Sequence, residues 1–275
     1  MKRKRKNNLK IWLLIIFSSL FLSISIISLI NIYSWNNDNK KTDKIVNEIN
    51  ELTEIETTKD NENTELINKP LDNNSDYWYY TTFPLIDVDL NELKKKNNDT
   101  VGWININNTN INYPFVQYTD NNFYLEHSFN KTKNSAGWIY LDYRNNKNFT
   151  DKNTVIYGHS RADKTMFSTL LNALNYNWYT NKDNHIIRIS TETENTLWQI
   201  ISVYKIPVES YYIKTNFKKD NEFNEFLNTI VKRSIYNFNT EYSEKDKILT
   251  LSTCYSTDVR MVIHAKLIKR EIKNS

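Results

Sequence analysis

A basic cluster runs directly into a long apolar segment, and this pairing most constrains how the chain can fold. Five of the first six residues are lysine or arginine, and residues 11–30 carry no charge. Twenty residues of helix span about 30 Å, the thickness of the hydrocarbon core of a bilayer. Tyr33 and Trp35 follow where an interfacial aromatic belt would lie. We therefore expect a transmembrane anchor over residues 11–33.

An uncleaved anchor fits this segment better than a secretory signal peptide. A signal peptide has a shorter apolar region and a small-residue cleavage site, whereas the first alanine here is Ala136. The positive-inside rule keeps the basic tail, residues 1–10, in the cytoplasm. The predicted location is the cell membrane, with a single pass and with everything after about residue 35 outside the cell.

Residues 34–75 have the composition of an extracellular stalk or linker. They are rich in Asn, Asp, Glu, Lys and Thr and show only a weak helical repeat of isoleucine and leucine. Such a segment is typically part helix and part flexible chain. Pro70 and the polar run at 72–75 mark its end. Residues 76–275 are then predicted to form one folded domain.

Short β-rich runs recur through that domain, between turns rich in Asn and Asp. The predicted strands are residues 101–106, 111–117, 137–142, 154–157, 185–190, 197–206, 247–253 and 260–269. Their number and spacing are typical of a closed barrel or a sandwich, so the predicted fold class is mainly β. Two helices, around 166–174 and 221–236, each carry one apolar stripe that would pack on the sheet.

Charge and composition argue against several kinds of ligand. Six basic residues lie within the first ten, more than the net charge of +4, so the rest of the chain is near neutral. Its basic residues are dispersed, without the basic-aromatic stripe of a nucleic-acid-binding surface. No Cys/His or acidic cluster indicates a metal, and no glycine-rich loop indicates a phosphate site. We expect no metal, no cofactor and no nucleic-acid partner.

Cys254 is the only cysteine, so in an exported domain it cannot form an intramolecular disulfide. Such a thiol is buried and inert, pairs with another chain, or reacts. Cys254 ends a predicted strand, and Arg260 opens the next strand six residues later, so a short loop brings a guanidinium close to the thiol. A nearby cation favours the thiolate and stabilises an oxyanion. The position of Cys254 therefore favours a nucleophile.

A thiol nucleophile generally requires an acid–base partner, which is usually histidine. His127 and His185 lie among ordinary loop and strand residues, where a structural role is expected. His159 ends a strand beside Gly158, which permits a close approach. His264 faces the same side of its strand as the arginine but lies four residues further on, about 13 Å at 3.3 Å per residue. The residues alone leave His159 and His264 as alternatives.

Several segments, taken in order, carry a family resemblance. They read Trp-Ile at 103–104 with Asn-Tyr-Pro at 112–114, Gly-Trp-Ile-Tyr-Leu-Asp-Tyr-Arg at 137–144, Tyr-Gly-His-Ser at 157–160 with Met-Phe at 166–167, Thr-Leu-Ser-Thr-Cys at 250–254 and Arg-Met-Val-Ile-His-Ala-Lys-Leu at 260–267. Together they resemble a class B sortase over about residues 76–271. The resemblance implies an eight-stranded sortase-type β-barrel with added helices, preceded by an N-terminal transmembrane helix. It also implies that residues 76–275 are the catalytic domain.

The resemblance implies that His159, Cys254 and Arg260 are the catalytic trio, which resolves the choice between the histidines. A weaker similarity implies a substrate groove that is lined by Asn121, Leu125, Tyr212, Ile213 and Ser252. For Leu125 and Ile213, plain core packing is an equal alternative. Two features depart from the family pattern: the loop 255–259 is short, and the stretch 160–164 lacks the glycine expected beside the threonine that precedes Met166.

A sortase-like chain is expected to be a cell-surface cysteine transpeptidase of a Gram-positive bacterium. It would cleave a C-terminal sorting signal of secreted surface proteins at a Thr carbonyl and transfer the acyl group to an amine of a cell-wall peptidoglycan precursor. The second hypothesis is a surface cysteine protease that hydrolyses the same thioester. A non-enzymatic, anchored surface-binding module is the third reading.

Overall fold

The computed structural model describes residues 2–273, with the side chains of residues 10–273. The chain divides between Lys44 and Ile45 into two compact units. The α-helices are α1 Lys2–Leu52, α2 Asp76–Thr81, α3 Asn91–Lys96, α4 Tyr176–Tyr179 and α5 Asp220–Lys232. Short 3-10 helices span Phe123–Leu125, Ser168–Leu174, Lys182–His185 and Tyr211–Ile213. The strands are β1 Ile55–Thr58, β2 Thr64–Leu66, β3 Leu85–Val88, β4 Thr100–Ile106, β5 Asn112–Val116, β6 Tyr140–Leu141, β7 Asn153–Tyr157, β8 Ile186–Thr191, β9 Glu194–Pro207, β10 Ile248–Cys254 and β11 Val259–Ile272.

The apolar run, residues 11–30, lies within α1 and belongs to the first unit. Its large apolar side chains are exposed along the helix. The hydroxyls of Ser19, Ser23 and Ser25 donate to carbonyl oxygens one turn back, at 2.8–2.9 Å, so these polar groups are satisfied within the helix. Within the described residues, this is the one helix long and apolar enough to cross a membrane by length and composition. The side chains of the predicted basic tail lie outside the described residues, except that of Lys10.

The second unit contains a closed, mixed β-barrel of eight strands. The strand order is β10-β7-β6-β5-β4-β8-β9-β11, and a pairing of β10 with β11 closes the barrel. The pairs β10–β7 and β5–β6 are parallel, whereas the other barrel pairs are antiparallel. Each predicted strand overlaps one of these eight, so the predicted barrel is confirmed.

The two faces of β10 have different environments, and this difference positions the site. Leu249 and Leu251 point into the main core. Successive side chains of a strand alternate between faces, so Thr250, Ser252 and Cys254 share the opposite face. The apolar stripe of α5 covers that outer face near Ile248, where Phe223, Phe226, Leu227 and Ile230 are buried. At Cys254 the same face is half-exposed.

The predicted linker over residues 34–75 is more ordered than its composition indicates. α1 continues to Leu52, and Ile49 is buried in the main core. β1 pairs with β3, and β2 pairs with the end of β11, where Leu66 lies opposite Lys269. These strands have only four and three residues, mostly exposed, so they lack the buried alternation that reveals a strand. The folded unit therefore begins before the boundary predicted at residue 76.

The two predicted helices also differ from expectation in type or length. Ser168–Leu174 is a 3-10 helix, and its apolar residues at a spacing of three suit that geometry as well as an α-helix. α5 ends at Lys232 because the chain then turns onto β9, where the Ile235 amide donates to the Val203 carbonyl at 2.9 Å. In the stretch without the expected glycine, Lys164 adopts a left-handed φ of 64°.

Candidate active site

Cys254 and Arg260 face each other across the β10–β11 hairpin. The register pairs Cys254 directly with Arg260, after Ser252 with Val262. Residues that lie directly opposite in an antiparallel pair project from the same face, about 4.5–5.5 Å apart at Cβ. The hairpin is tight, since the Tyr255 amide donates to the Val259 carbonyl at 2.9 Å. The short loop noted in the sequence therefore keeps Cys254 and Arg260 opposite each other on neighbouring strands.

His159 follows the end of the neighbouring parallel strand. β7 pairs with β10 in a register that ends with Tyr157 opposite Ser252, and the Gly158 amide donates to the Ser252 carbonyl at 3.3 Å. His159 and Cys254 each lie two residues beyond that pair. Adjacent strands are about 4.8 Å apart. The structure thus brings His159, Cys254 and Arg260 to one end of three neighbouring strands.

The imidazole of His159 is oriented by the loop in front of it. Its Nε2 lies 2.8 Å from the Leu125 carbonyl oxygen. A carbonyl only accepts, so Nε2 carries the proton, and Nδ1 of the neutral ring is left as the acceptor. A Cβ on Gly137, at φ 60°, would lie 2.8 Å from the His159 ring carbon Cδ2. Gly137 therefore allows the ring to rest on the backbone.

The backbone on the other side of His159 is also held. The Phe167 amide donates to the His159 carbonyl at 2.9 Å. A Cβ on Gly158 would lie 2.7 Å from the Phe167 ring, so the predicted close approach at Gly158 is to this aromatic side chain. These contacts fix the end of β7 without using the imidazole.

Arg260 is held by weaker contacts. Its Nη1 donates to the carbonyl oxygens of Ser256 and Thr257 at 3.4 and 3.2 Å. These distances are at or beyond the long end of the normal range for N–H···O bonds. The guanidinium can exchange these loop carbonyls for a ligand at low cost.

Two buried tyrosines lie beside the thiol and the guanidinium. Burial raises the pKa of Tyr140, and the charges of Asp142 and Cys254 act in the same direction. Burial likewise raises the pKa of Tyr212, although its hydrogen bond with Ser252 and the charge of Arg260 oppose the change. Both side chains therefore stay neutral hydroxyls near neutral pH. Tyr140 was not among the predicted site residues, because its pairing with Tyr157 arises only when β6 and β7 meet in the fold.

The five predicted groove residues have different surroundings. Tyr212 and Ser252 are buried at 3% exposure each, and their hydroxyls lie 3.2 Å apart. Leu125 is 36% exposed beside His159, which favours a groove role over core packing. The Ile213 carbonyl accepts from Arg144 at 2.9 Å. The side chain of Asn121 is occupied by hydrogen bonds within the protein.

Those bonds make Asn121 part of a polar cluster that the sequence did not reveal. Its Nδ2 donates to Asp142 at 3.0 Å, and its Oδ1 accepts from the Tyr143 amide at 3.0 Å. Burial alone would raise the pKa of Asp142, but hydrogen bonds from Arg144 and Tyr157 lower it overall. The carboxylate of Asp142 is therefore ionised across the physiological range.

The other histidines serve the fold. His264 is fully buried, with Thr250 Oγ1 and the Tyr204 hydroxyl each 2.8 Å from a ring nitrogen. Burial lowers the pKa of His264 to about 3, so it is neutral and closed to a substrate. His185 is buried against the Tyr80 hydroxyl, 2.7 Å away, and His127 stacks on an aromatic ring at 4.0 Å. These placements agree with the structural roles expected for His127 and His185.

This arrangement can perform acyl transfer. The strand that carries the thiol lies between the strand that leads to an imidazole and the strand that carries a guanidinium. An imidazole can give or take a proton, and a guanidinium can face a developing oxyanion. Among the described residues, no group of three or more His, Cys, Asp or Glu side chains is placed to hold a metal ion.

Known proteins match this chain in both sequence and fold. The sortase domain family model matches residues 104–268. Sortase B of Listeria monocytogenes is 38% identical over 190 residues, 66% of this chain and 75% of that protein. A Staphylococcus aureus sortase B–substrate complex is 36% identical with a TM-score of 0.62, over 66% of this chain and 84% of that one. A sortase B complexed with triglycine is 35% identical with a TM-score of 0.62, over 66% of this chain and 85% of that one. With its closed eight-stranded barrel, this chain belongs to the sortase family of cysteine transpeptidases, and its relatives place it in class B.

Proposed function

We propose that the protein is a membrane-anchored transpeptidase that cleaves a sorting signal at a Thr carbonyl and transfers the acyl group to an amine. The observation that carries this proposal is the register of β7, β10 and β11, which brings the ends of the segments that carry His159, Cys254 and Arg260 side by side. In this proposal, Cys254 is the nucleophile, His159 the acid and base, and Arg260 the oxyanion or peptide ligand.

The first half-reaction forms a thioester. The Cys254 thiolate attacks the threonyl carbonyl carbon, and its oxygen becomes an oxyanion that the Arg260 guanidinium stabilises. The tetrahedral intermediate collapses as the C–N bond breaks and protonated His159 gives its proton to the leaving amine. The thioester retains the acyl group in activated form, so no nucleotide is required.

The second half-reaction reverses the proton movement. An acceptor amine attacks the thioester carbonyl and loses a proton to neutral His159. The C–S bond breaks, Cys254 leaves as a thiolate, and a new amide forms. The solved complex of sortase B with triglycine supports an amine nucleophile, and the substrate complex of Staphylococcus aureus sortase B supports a peptide donor. The amine of a cell-wall peptidoglycan precursor is the proposed acceptor.

The groove has two walls and a floor in this proposal. Leu125 lies on the exposed loop beside His159, and the 3-10 helix Tyr211–Ile213 lies on the other side. The floor is the outer face of β10 at Ser252, whose hydroxyl lies 3.2 Å from that of Tyr212. The predicted contacts Leu125, Tyr212, Ile213 and Ser252 are retained as proposed substrate neighbours. Asn121 is instead proposed to act indirectly, through its hydrogen bonds with Asp142 and the Tyr143 amide.

The apolar helix supports a location at the membrane. Secreted surface proteins that carry a sorting signal are the proposed donors, and they are held at the membrane before cleavage. An enzyme anchored by residues 11–33, with its basic tail in the cytoplasm and its barrel outside the cell, would meet them at the bilayer surface.

The test uses the full chain in detergent micelles. A library of N-terminally labelled peptides with one fixed threonine and varied flanking positions is incubated with and without triglycine. The proposal predicts cleavage after threonine and a new product extended by triglycine. Cleavage with hydrolysis alone, at every amine concentration, favours the surface protease. No cleavage, together with unchanged attachment of surface proteins in cells that carry Cys254→Ala, favours the non-enzymatic module.

A further inference from the structure

Asp142 is a buried carboxylate with an unusually complete set of donors. Its side chain has no exposed surface. Oδ1 accepts from the backbone amide and Nε of Arg144 at 2.9 and 2.8 Å. Oδ2 accepts from Arg144 Nη2 at 2.6 Å, the Tyr157 hydroxyl at 2.8 Å and Asn121 Nδ2 at 3.0 Å. A buried charge is tolerated only when paired and hydrogen-bonded in this way.

The same guanidinium reaches across to the opposite wall of the proposed groove. Arg144 Nη2 also donates to the Ile213 carbonyl oxygen at 2.9 Å. Ile213 ends the 3-10 helix that carries Tyr212, whose hydroxyl meets Ser252. One side chain therefore connects the turn after β6 to the wall that lies over the floor of the groove.

The carboxylate makes the matching connection to the histidine side. Tyr157 ends β7, two residues before His159, and lies opposite Ser252. Asn121 opens the loop that leads to Leu125, and the Leu125 carbonyl accepts from the imidazole. Asp142 thus contacts both the strand that carries the histidine and the loop that orients its ring.

We propose that the Asp142–Arg144 pair is the positioning element of the peptide groove: it fixes the separation between the loop 121–125 and the wall at Tyr211–Ile213. This inference rests on the proposed function. Neither residue needs to touch the reacting atoms, because both act through Asn121, Tyr157 and Ile213. The pair therefore sets peptide affinity and leaves the thiol chemistry to Cys254.

The inference gives a specific kinetic signature. Arg144→Lys keeps the charge, but an ammonium lacks the planar fork that holds both carboxylate oxygens while it also reaches the Ile213 carbonyl. The wall at Tyr211–Ile213 then loses its hydrogen bond with residue 144. Each bound peptide must therefore order this wall again. We expect KM for the peptide to rise about tenfold or more in Arg144→Lys, the effect of losing one charged hydrogen bond.

We expect kcat to change by less than about threefold in Arg144→Lys, because Asp142 keeps its hydrogen bonds with Asn121 and Tyr157. Asp142→Asn should also raise KM, and it should lower kcat as well because it weakens the contacts to the histidine strand and to the loop that orients the ring.

Arg188→Lys is the matched control. Arg188 also joins separate segments, since its guanidinium donates to the Pro84 carbonyl at 2.8 Å and to Asn105 and Asn107 at 3.2 and 3.0 Å. It lies on β8, which pairs with β4 and β9 and not with the strands of the site. Loss of an arginine that joins separate segments is thereby separated from loss of the hydrogen bond to the wall.

The experiment measures KM and kcat, amide hydrogen exchange of residues 210–214, and the rate of Cys254 alkylation by iodoacetamide, all in the full chain in micelles. Faster exchange and a raised KM in Arg144→Lys but not in Arg188→Lys, with unchanged alkylation, support the inference. An unchanged KM, equal effects in both variants, or slower alkylation would overturn it. If the wild type cleaves no peptide, the proposed function fails. Hydrogen exchange of residues 210–214 then tests the positioning role by itself. Faster exchange in Arg144→Lys but not in Arg188→Lys supports that role, and any other result overturns it.

Discussion

At the scale of single residues, the pairing of Cys254 with Arg260 is the most specific feature of this chain. It needs no flexible loop, because the antiparallel register alone places the two side chains together. The guanidinium makes only long contacts to loop carbonyls, so it is available to a substrate. A planar, permanently charged group suits an oxyanion better than a flexible ammonium does.

Replacing Arg260 by lysine should therefore weaken catalysis without removing the nucleophile. We expect kcat/KM for peptide cleavage to fall about 100-fold or more, the usual effect of losing an oxyanion donor. The rate of Cys254 alkylation should stay within a few-fold of wild type. Arg270→Lys is the control, since Arg270 lies at the other end of β11 and pairs with Glu65. Equal kcat/KM in Arg260→Lys and wild type would remove Arg260 from the mechanism.

His185 should make stability depend on pH although it lies outside the site. Burial lowers its pKa from 6.5 to about 4. The unfolded chain therefore binds more protons between those values, and the free energy of unfolding falls as pH drops from about 6.5 to 4. The expected loss from this residue is about 3 kcal/mol. His264 adds a loss of the same sign, because burial lowers its pKa to about 3.

Chemical denaturation of the full chain in micelles at pH 7 and pH 4.5 measures this effect. His185→Gln should show a smaller pH dependence than wild type. His127→Gln, at a half-buried position, serves as the control. An identical pH dependence in His185→Gln and wild type would contradict the account.

At the scale of elements, the loop 121–127 and the turn at Gly137 together place His159. A methyl group on Gly137 would lie 2.6 Å from the Tyr124 carbonyl oxygen and 2.8 Å from His159 Cδ2. Its φ of 60° also disfavours a side chain by about 1–2 kcal/mol. We expect Gly137→Ala to reduce cleavage at least about tenfold by shifting the imidazole.

Two measurements separate that shift from simple unfolding. Thermal unfolding should show a loss of only a few degrees, whereas peptide cleavage in the cold should remain impaired. Cleavage equal to wild type at low temperature would show that His159 does not depend on Gly137.

The strands of the barrel could be predicted, because each buries apolar residues in a recognisable run. The edge strands β1 and β2 could not, because their short, exposed segments are stabilised by partners distant in sequence. The juxtaposition of Cys254 and Arg260 could be predicted because the two residues flank a short turn. The choice of His159 as the third member of the proposed trio came from a family resemblance. The Asp142–Arg144 pair was missed, since its partners Asn121, Tyr157 and Ile213 meet only in the folded barrel.

At the scale of the whole molecule, the apolar segment of α1 should determine where the enzyme works. Leu20→Lys and Leu22→Lys, in the middle of the run, each cost about 2.5–3.5 kcal/mol for insertion on biological scales. We expect the double variant to leave the membrane fraction on alkaline extraction of cells, whereas wild type stays. The control is the double variant Asn36→Lys and Asn37→Lys. Retention of the Leu20/Leu22 variant would show that the segment is not the anchor.

The central claim is that Cys254 carries the peptide as a thioester. The most direct test mixes the full chain with a peptide that it cleaves, in the absence of acceptor. The intact mass of the protein is then measured within seconds. The account predicts an added mass equal to the N-terminal peptide fragment as an acyl group. It maps to Cys254, is released by hydroxylamine or triglycine, and is absent in Cys254→Ala. An adduct on another residue, or undiminished cleavage by Cys254→Ala, would contradict the account.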